Sequence, residues 1–348
     1  MRSFLGAFLL IHLCGFFFTA VAEDTETDLQ AAGRRVKSLY QQGDYAAATD
    51  AAHEAAKLAL EKYGQDAPET AAAFQNLAAA LEQRGFLDNA ERLLTHALSV
   101  NQKKLGEDHA ATASVLNSLG HLCWRANRPK EAEAYLKRAL ATREKTLGPD
   151  HAETALTLDN LAVLYDSQRR FRESEPLHGR AVAILEKAAG WEVDAATAIS
   201  NLANMYDKQG RSDKALEGYR RSLELLEETL GPEHPLTAAS LGNLGGTYAE
   251  QRKFQEAEKL LLRSLAIREK HYGNEHEYTA NSLFNLGSLY ADMGRYAAAR
   301  PLLERASRIC EKLFGPDDQR TQMARRTLAD VSRDTGSEQR PRRTPADR

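Results

Sequence analysis

The chain is predicted to be all-α, an α-solenoid of stacked antiparallel helix hairpins, and three features of its 348 residues point there. The first is a period. A leucine followed by a small residue returns as Leu77-Ala78, Leu119-Gly120, Leu161-Ala162, Leu202-Ala203, Leu244-Gly245 and Leu286-Gly287, spaced 42, 42, 41, 42 and 42 positions apart. Leu328-Ala329 falls 42 further on. A fixed period of about 20–50 residues marks supersecondary units that cannot bury their apolar faces alone. The second feature is composition: Ala, Leu, Glu, Lys, Arg and Gln dominate and β-branched residues are sparse, which favours helix. The third is length. One core stops growing near about 250–300 residues, whereas units that touch only their neighbours escape that limit.

The elements follow in chain order. Met1-Arg2 gives a positive start, residues 4–19 are almost entirely apolar, and Ala20-Val21-Ala22 precedes Glu23-Asp24. This charged, apolar and small-x-small order predicts a cleavable signal peptide over 1–22 and a secreted or periplasmic protein. An uncleaved membrane anchor is the alternative, since the apolar run approaches the roughly 17–25 residues of a spanning helix. Lipidation at Cys14 is disfavoured by the bulky Leu13 before it and by Phe16-Phe17-Phe18 beyond. Cleavage removes Arg2 and takes the net charge from −3 to −4. No field of that size favours nucleic acid or an anionic membrane. Cys123 and Cys310 remain, more than four repeats apart. They read as small buried hydrophobes, with a dimer-linking disulfide as the alternative.

Residues 28–332 form the repeat region. The copy from Val36 to Gly64 keeps Gly43, Tyr45, Ala48 and Ala55 but has Arg35 where the leucine belongs, so it reads as an N-terminal cap with a polar outer face. In the fifth full copy, Leu241, Leu244, Gly245 and Tyr248 draw one helical stripe. After the polar break Gln251-Arg252-Lys253, a second stripe follows through Phe254, Ala257, Leu261, Ser264 and Leu265, and Gly273 closes the unit as a C-cap. Two columns of small residues mark where the helices of a hairpin approach: Ala90, Ala132, Ser174, Ala215, Ala257, Ala299, and Ala97, Ala139, Ala181, Ser222, Ser264, Ala306. An aromatic column stands at Tyr165, Tyr206, Tyr248 and Tyr290. The third junction, Gly190-Trp-Glu-Val193, is one residue shorter and without histidine, which predicts a kink or a contact site. A half-repeat helix over 320–334 covers the last hairpin, and 333–348 reads as a disordered tail because it holds no large apolar anchor.

These columns resemble the tetratricopeptide repeat. The longer period, with junctions Leu147-Gly-Pro-Asp-His151, Leu230-Gly-Pro-Glu-His234, Gly106-Glu-Asp-His109 and Gly273-Asn-Glu-His276, looks like the kinesin-light-chain subtype. The resemblance covers about residues 28–332. It implies about seven hairpins in a right-handed superhelix, and a protein or peptide partner held in a concave groove.

No residue set supports catalysis. There is no His-Glu-x-x-His, no phosphate loop and no Gly-x-Ser-x-Gly elbow, so a non-enzymatic chain without cofactor is expected. His271 and His276 with Glu275 and Glu277 invite a metal reading. The junction histidines recur once per repeat, however, and so read as fold elements rather than ligands sharing one ion. The candidate site is the stripe of each first helix opposite its hairpin partner. That stripe carries Asn117, His121, Trp124 and Arg125 in the second copy, and Asn204, Asp207 and Lys208 in the fourth. Gly246 lies on it in the fifth copy and Phe284 in the sixth. Glu82, Asp166, Asp207, Glu250 and Asp292 make the lining acidic, so the expected ligand has apolar anchors and some positive charge. The competing reading is a structural or envelope-assembly component that binds through its outer face. The series Asn76, Asn160, Asn201, Asn243 and Asn285 is offset from the groove centre and favours hydrogen bonds between repeats over a peptide clamp.

Overall fold

The computed structural model describes residues 28–41 and 44–338. The expected signal segment 1–22, with Cys14, and residues 339–348 lie outside them. The described residues hold fifteen helices and no strand. None of these helices is long and apolar enough to cross a membrane. The chain divides inside one helix, between Met205 and Tyr206, into two compact units.

The N-terminal unit holds α1 (Asp28–Gln41), α2 (Tyr45–Tyr63), α3 (Pro68–Gln83), α4 (Leu87–Lys104), α5 (Ala110–Arg125), α6 (Pro129–Thr146), α7 (Ala152–Ser167), α8 (Phe171–Leu185) and most of α9 (Glu192–Lys208). Consecutive pairs pack as hairpins: α1 on α2, α3 on α4, α5 on α6 and α7 on α8. Each first helix also touches the first helix of the next copy, α3 on α5 and α5 on α7. The C-terminal unit continues with α10 (Ser212–Leu230), α11 (Pro235–Glu250), α12 (Phe254–Tyr272), α13 (Glu277–Asp292), α14 (Tyr296–Phe314) and α15 (Gln319–Glu338). Here α11 pairs with α12 and α13 with α14, while α15 packs on α14 and touches α13. Helix α15 runs to Glu338, so the first six residues assigned to a tail are helical.

The small columns lie where the period puts them. All twelve residues of the two columns are fully buried. The glycines after the leucines have a steric reason: a Cβ on Gly120 would lie 2.5 Å from Leu136 Cγ, and on Gly287 2.8 Å from Leu303 Cγ. The aromatic column ties copies together. Tyr165 and Tyr290 donate to Glu133 and Glu258 on the preceding second helices, at 3.1 and 2.8 Å. Arg170 and Arg295 lie over those rings, 3.8 and 4.3 Å from the centroids. Cys123 and Cys310 are free and buried, and burial pushes both thiols up to about 11.

The junctions are closed by three residues. A glycine in the left-handed region ends the second helix, as at Gly106 (φ 99°) and Gly148 (φ 101°). The histidine three residues on is an N-cap. Nδ1 of His109, His151, His234 and His276 accepts the backbone N–H two residues later, at 3.1–3.2 Å. A threonine then donates back to the glycine carbonyl: Thr112 to Gly106, Thr154 to Gly148, Thr237 to Gly231 and Thr279 to Gly273, at 2.7–2.9 Å. Thr70 does the same to Gly64 at 2.7 Å, although Ala67 replaces the histidine there. At the last junction Asp318 is the acceptor, 2.9 Å from Arg320 N. The third junction differs as its sequence suggests. Helix α8 stops at Leu185, and Glu192 Oε1 accepts Gly190 N–H at 3.0 Å. At the N-terminus Val36 is buried, whereas Arg35 and Glu54 face solvent as a weak ion pair at 3.8 Å, the polar outer face of a cap.

Candidate functional site: the first-helix face

In the N-terminal unit the first helices are laced together by polar side chains. Gln75 on α3 donates to Ser114 and Ser118 on α5, at 2.7 and 3.0 Å. Asn160 on α7 donates to Asn117 on α5 at 3.1 Å, and Asn201 on α9 to Asp159 on α7 at 2.8 Å. Glu82 is buried, 2.7 Å from His121 Nδ1, and its carbonyl accepts from Arg125 at 2.8 Å. The third copy adds a buried triad. His178 Nδ1 lies 2.7 Å from Asp159 and Nε2 lies 2.9 Å from Asp166. Burial opposes a charged ring, but the bonds to the two carboxylates outweigh it and raise His178 to about 9.

His178 occupies the column held elsewhere by Leu94, Leu136, Tyr219, Leu261 and Leu303, all buried. That break in an apolar column is the sequence signal for a residue that motif searching passes over.

In the C-terminal unit the same face is interrupted by a recess of about 230 Å³ between α11, α13 and α15. Gly246 and Ala249 form one wall, Phe284 and Leu289 the floor, and Met323 the far side. Glu250, Asp292, Asp330 and Arg326 are also part of its lining. One repeat earlier in the acidic column stands Asp207. Burial first, and the neighbouring Glu250 charge second, push its carboxyl up to about 7. Burial likewise raises Asp292, against the pull of Arg252.

The nine expected site residues are therefore scattered. Asn117 and His121 are buried in contacts between α5 and its neighbours instead of standing open to a ligand, because the adjoining first helix covers that side. Trp124 is half-buried and packs on the cluster that joins Cys123, Ala132 and Leu136 of its own copy to Leu161, Leu164 and Tyr165 of the next, its ring 5.7 Å from His121. Arg125 is half-buried against Glu82. Asn204 is half-buried in the N-terminal unit, while Asp207 and the exposed Lys208 belong to the C-terminal one. Gly246 and Phe284 meet at the recess. Of the offset asparagines, Asn160 and Asn201 make the bonds between repeats that their position suggests, and Asn285 bonds Asn281 in its own helix at 3.2 Å. Among the described residues no group of three or more His, Cys, Asp or Glu is placed to hold a metal ion.

The tetratricopeptide repeat family matches at residues 72–145, 130–187, 194–270, 248–312 and 278–339, well over half the chain. The chain belongs to that family. Among solved structures it is similar to the nearly identical TPR-like repeats of a Podosopora anserina protein described as a kinesin light chain. The identity is 26%, the TM-score 0.48, and the match covers 59% of this chain and 98% of that one. It is also similar to a Rap protein in complex with competence and sporulation factor, at 17% identity and TM-score 0.65, over 89% of this chain and 87% of that one. A third likeness is to the APC/C hetero-tetramer Cut9–Hcn1, at 14% identity and TM-score 0.61, over 85% of this chain and 48% of that one. No curated protein matches the chain. Family membership supports a protein–protein interaction scaffold, and members of the family are generally non-catalytic.

Proposed function

We propose that the chain is a non-enzymatic scaffold, exported from the cytoplasm, that holds a protein or peptide segment on the face built by its first helices. The observation that carries this is the contrast between the two faces just described. In the N-terminal unit, side chains of adjoining first helices close on each other. Between α11, α13 and α15 they leave a recess of about 230 Å³ with a glycine in its wall. A concave site with an apolar floor and a few convergent polar groups is what ligands occupy.

The test is site-specific photo-crosslinking in the cells that make the protein. A photoreactive residue replaces Ala249, in the recess, or Lys259, on the outside of α12. Adducts from position 249 and not from 259 are expected. The reverse pattern would favour the outer-face reading. Export rests on the sequence of residues 1–22, and N-terminal sequencing of the exported protein should begin at Glu23. An intact Met1 in a membrane fraction would turn that segment into an anchor.

A further inference from the structure

We propose that the recess between α11, α13 and α15 takes a basic side chain of a partner protein, an arginine or lysine carried with apolar neighbours in an extended segment. This rests on the first-helix face being the binding surface, and it adds the chemistry of what that surface holds.

The volume, about 230 Å³, far exceeds the roughly 10–15 Å³ that admits one water. It is room for a long side chain. The floor of Phe284 and Leu289, both buried, suits the aliphatic stem that lysine and arginine lay along apolar surface while their heads stay polar. The heads have acceptors in reach of the rim. Glu250, Asp292 and Asp330 come from three different helices, against one cation in the lining, Arg326. Asp330 is shared with Arg333 at 2.8 Å. Inside the recess, Ser288 Oγ is covered and has no hydrogen-bond partner, so its lone pairs are open to a guanidinium or ammonium donor.

The Glu250 charge also opposes that of the neighbouring Asp207. Asp207 is held up to about 7 by burial and by Glu250, and burial raises Asp292. A cation beside Glu250 and Asp292 offsets their negative charge, whereas an acidic segment would add like charge to it. Gly246 and Ala249 let the main chain of the segment approach α11 closely, which favours a peptide over an isolated amine.

The experiment uses the full chain and two fluorescent ten-residue peptide libraries with the same degenerate apolar positions. One carries Lys or Arg at its charged positions, the other Asp or Glu. Anisotropy is read at physiological ionic strength. The basic library should bind about tenfold tighter than the acidic one, and Glu250→Gln with Asp292→Asn should remove about that factor. Glu256→Gln with Glu304→Gln deletes the same charge from outer helices and should change nothing. Ala249→Trp fills the recess without altering charge and should abolish binding. Ser288→Leu serves in its place if that variant loses helicity.

Equal binding of the libraries, or indifference to the Glu250 and Asp292 substitutions, overturns the proposal. Acidic peptides that bind and are blocked by Ala249→Trp would keep the face as the binding surface and remove its preference for cations. If neither library binds, the cation pocket is refuted, and the crosslinks from position 249 decide the face independently.

Discussion

Gly120 lies in α5 where α6 crosses it most closely. An ideal Cβ there would stand 2.5 Å from Leu136 Cγ, 2.8 Å from its Cδ2 and 3.3 Å from the Ala132 carbonyl oxygen. Contacts under 3.0 Å do not persist, so Gly120→Ala must turn Leu136 out of its rotamer or part the helices. Overpacking of this kind costs typically about 1–3 kcal/mol. Against it, alanine is better than glycine inside a helix by about 1 kcal/mol. The first full copy bounds the loss, since it pairs Ala78 with Leu94 in the same two columns, both buried, so the crossing can widen. We expect Gly120→Ala to destabilise by about 1 kcal/mol.

Gly179 in α8 is the control, because nothing lies within 4 Å of its added Cβ. Gly179→Ala should stabilise by about 1 kcal/mol. Urea denaturation followed by far-UV circular dichroism measures both, with a repeat-wise fit because stacked repeats need not unfold in one step. Leu136→Ala in the Gly120→Ala background should show a favourable coupling of about 1 kcal/mol. A Gly120→Ala variant as stabilised as Gly179→Ala would refute the close-crossing argument.

Three further outcomes are expected. His178→Leu restores the residue type of its column but strands the Asp159 and Asp166 charges in the interior, at a cost of about 3–5 kcal/mol in urea denaturation. Adding Asp159→Asn and Asp166→Asn should recover most of it. Stability should fall on both sides of neutrality. Burial and Arg268 hold His276 down to about 4, so its contribution is complete above about pH 6.5 and is lost toward pH 4, by roughly 2 kcal/mol at pH 5. His178, raised to about 9, contributes below about pH 6.5 and loses that contribution as the pH climbs through 9. Melting temperatures across this range in His276→Asn and in the His178 triple variant should each lose one flank; an unchanged acid flank in His276→Asn would disprove its assignment. Finally, Thr237→Val removes the bond to the Gly231 carbonyl at 2.9 Å and should cost about 1–2 kcal/mol in the same denaturation assay.

The hairpins were legible because burial against a partner helix demands small residues at fixed positions, and both columns stand out from one sequence. The faces were harder to read. Helix α11 has Pro235 through Thr247 buried without a break, so its hydrophobicity no longer distinguishes sides. A first helix is covered by its hairpin partner and again by its neighbouring first helices, and the second cover hides Asn117 and His121. Gly246 and Phe284 share a stripe position in successive first helices, and the structure brings both into the lining of one recess. The recess is completed by residues of α15, whose register the columns do not give. The junction histidines showed as a period, and the threonine three residues later became visible only once its hydroxyl was seen on the glycine carbonyl.

The glycine–histidine–threonine lock of each of those joints is completed within seven consecutive residues, and the contacts it takes from the following second helix repeat with the period, as in Arg180 on the Pro149 carbonyl and Arg263 on the Pro232 carbonyl, at 2.7 and 2.8 Å. The joints therefore behave as interchangeable couplings, and the number of copies between them is free to vary. Excising residues 111–152 splices two equivalent joints and should leave a shorter helical array, where removing 42 residues from a globular enzyme would wreck it. The junction at Gly190 differs from all the others in being one residue short, and it has neither the histidine nor the threonine lock. A copy transplanted across that point would arrive out of phase, so the array can be edited on either side of it but not through it.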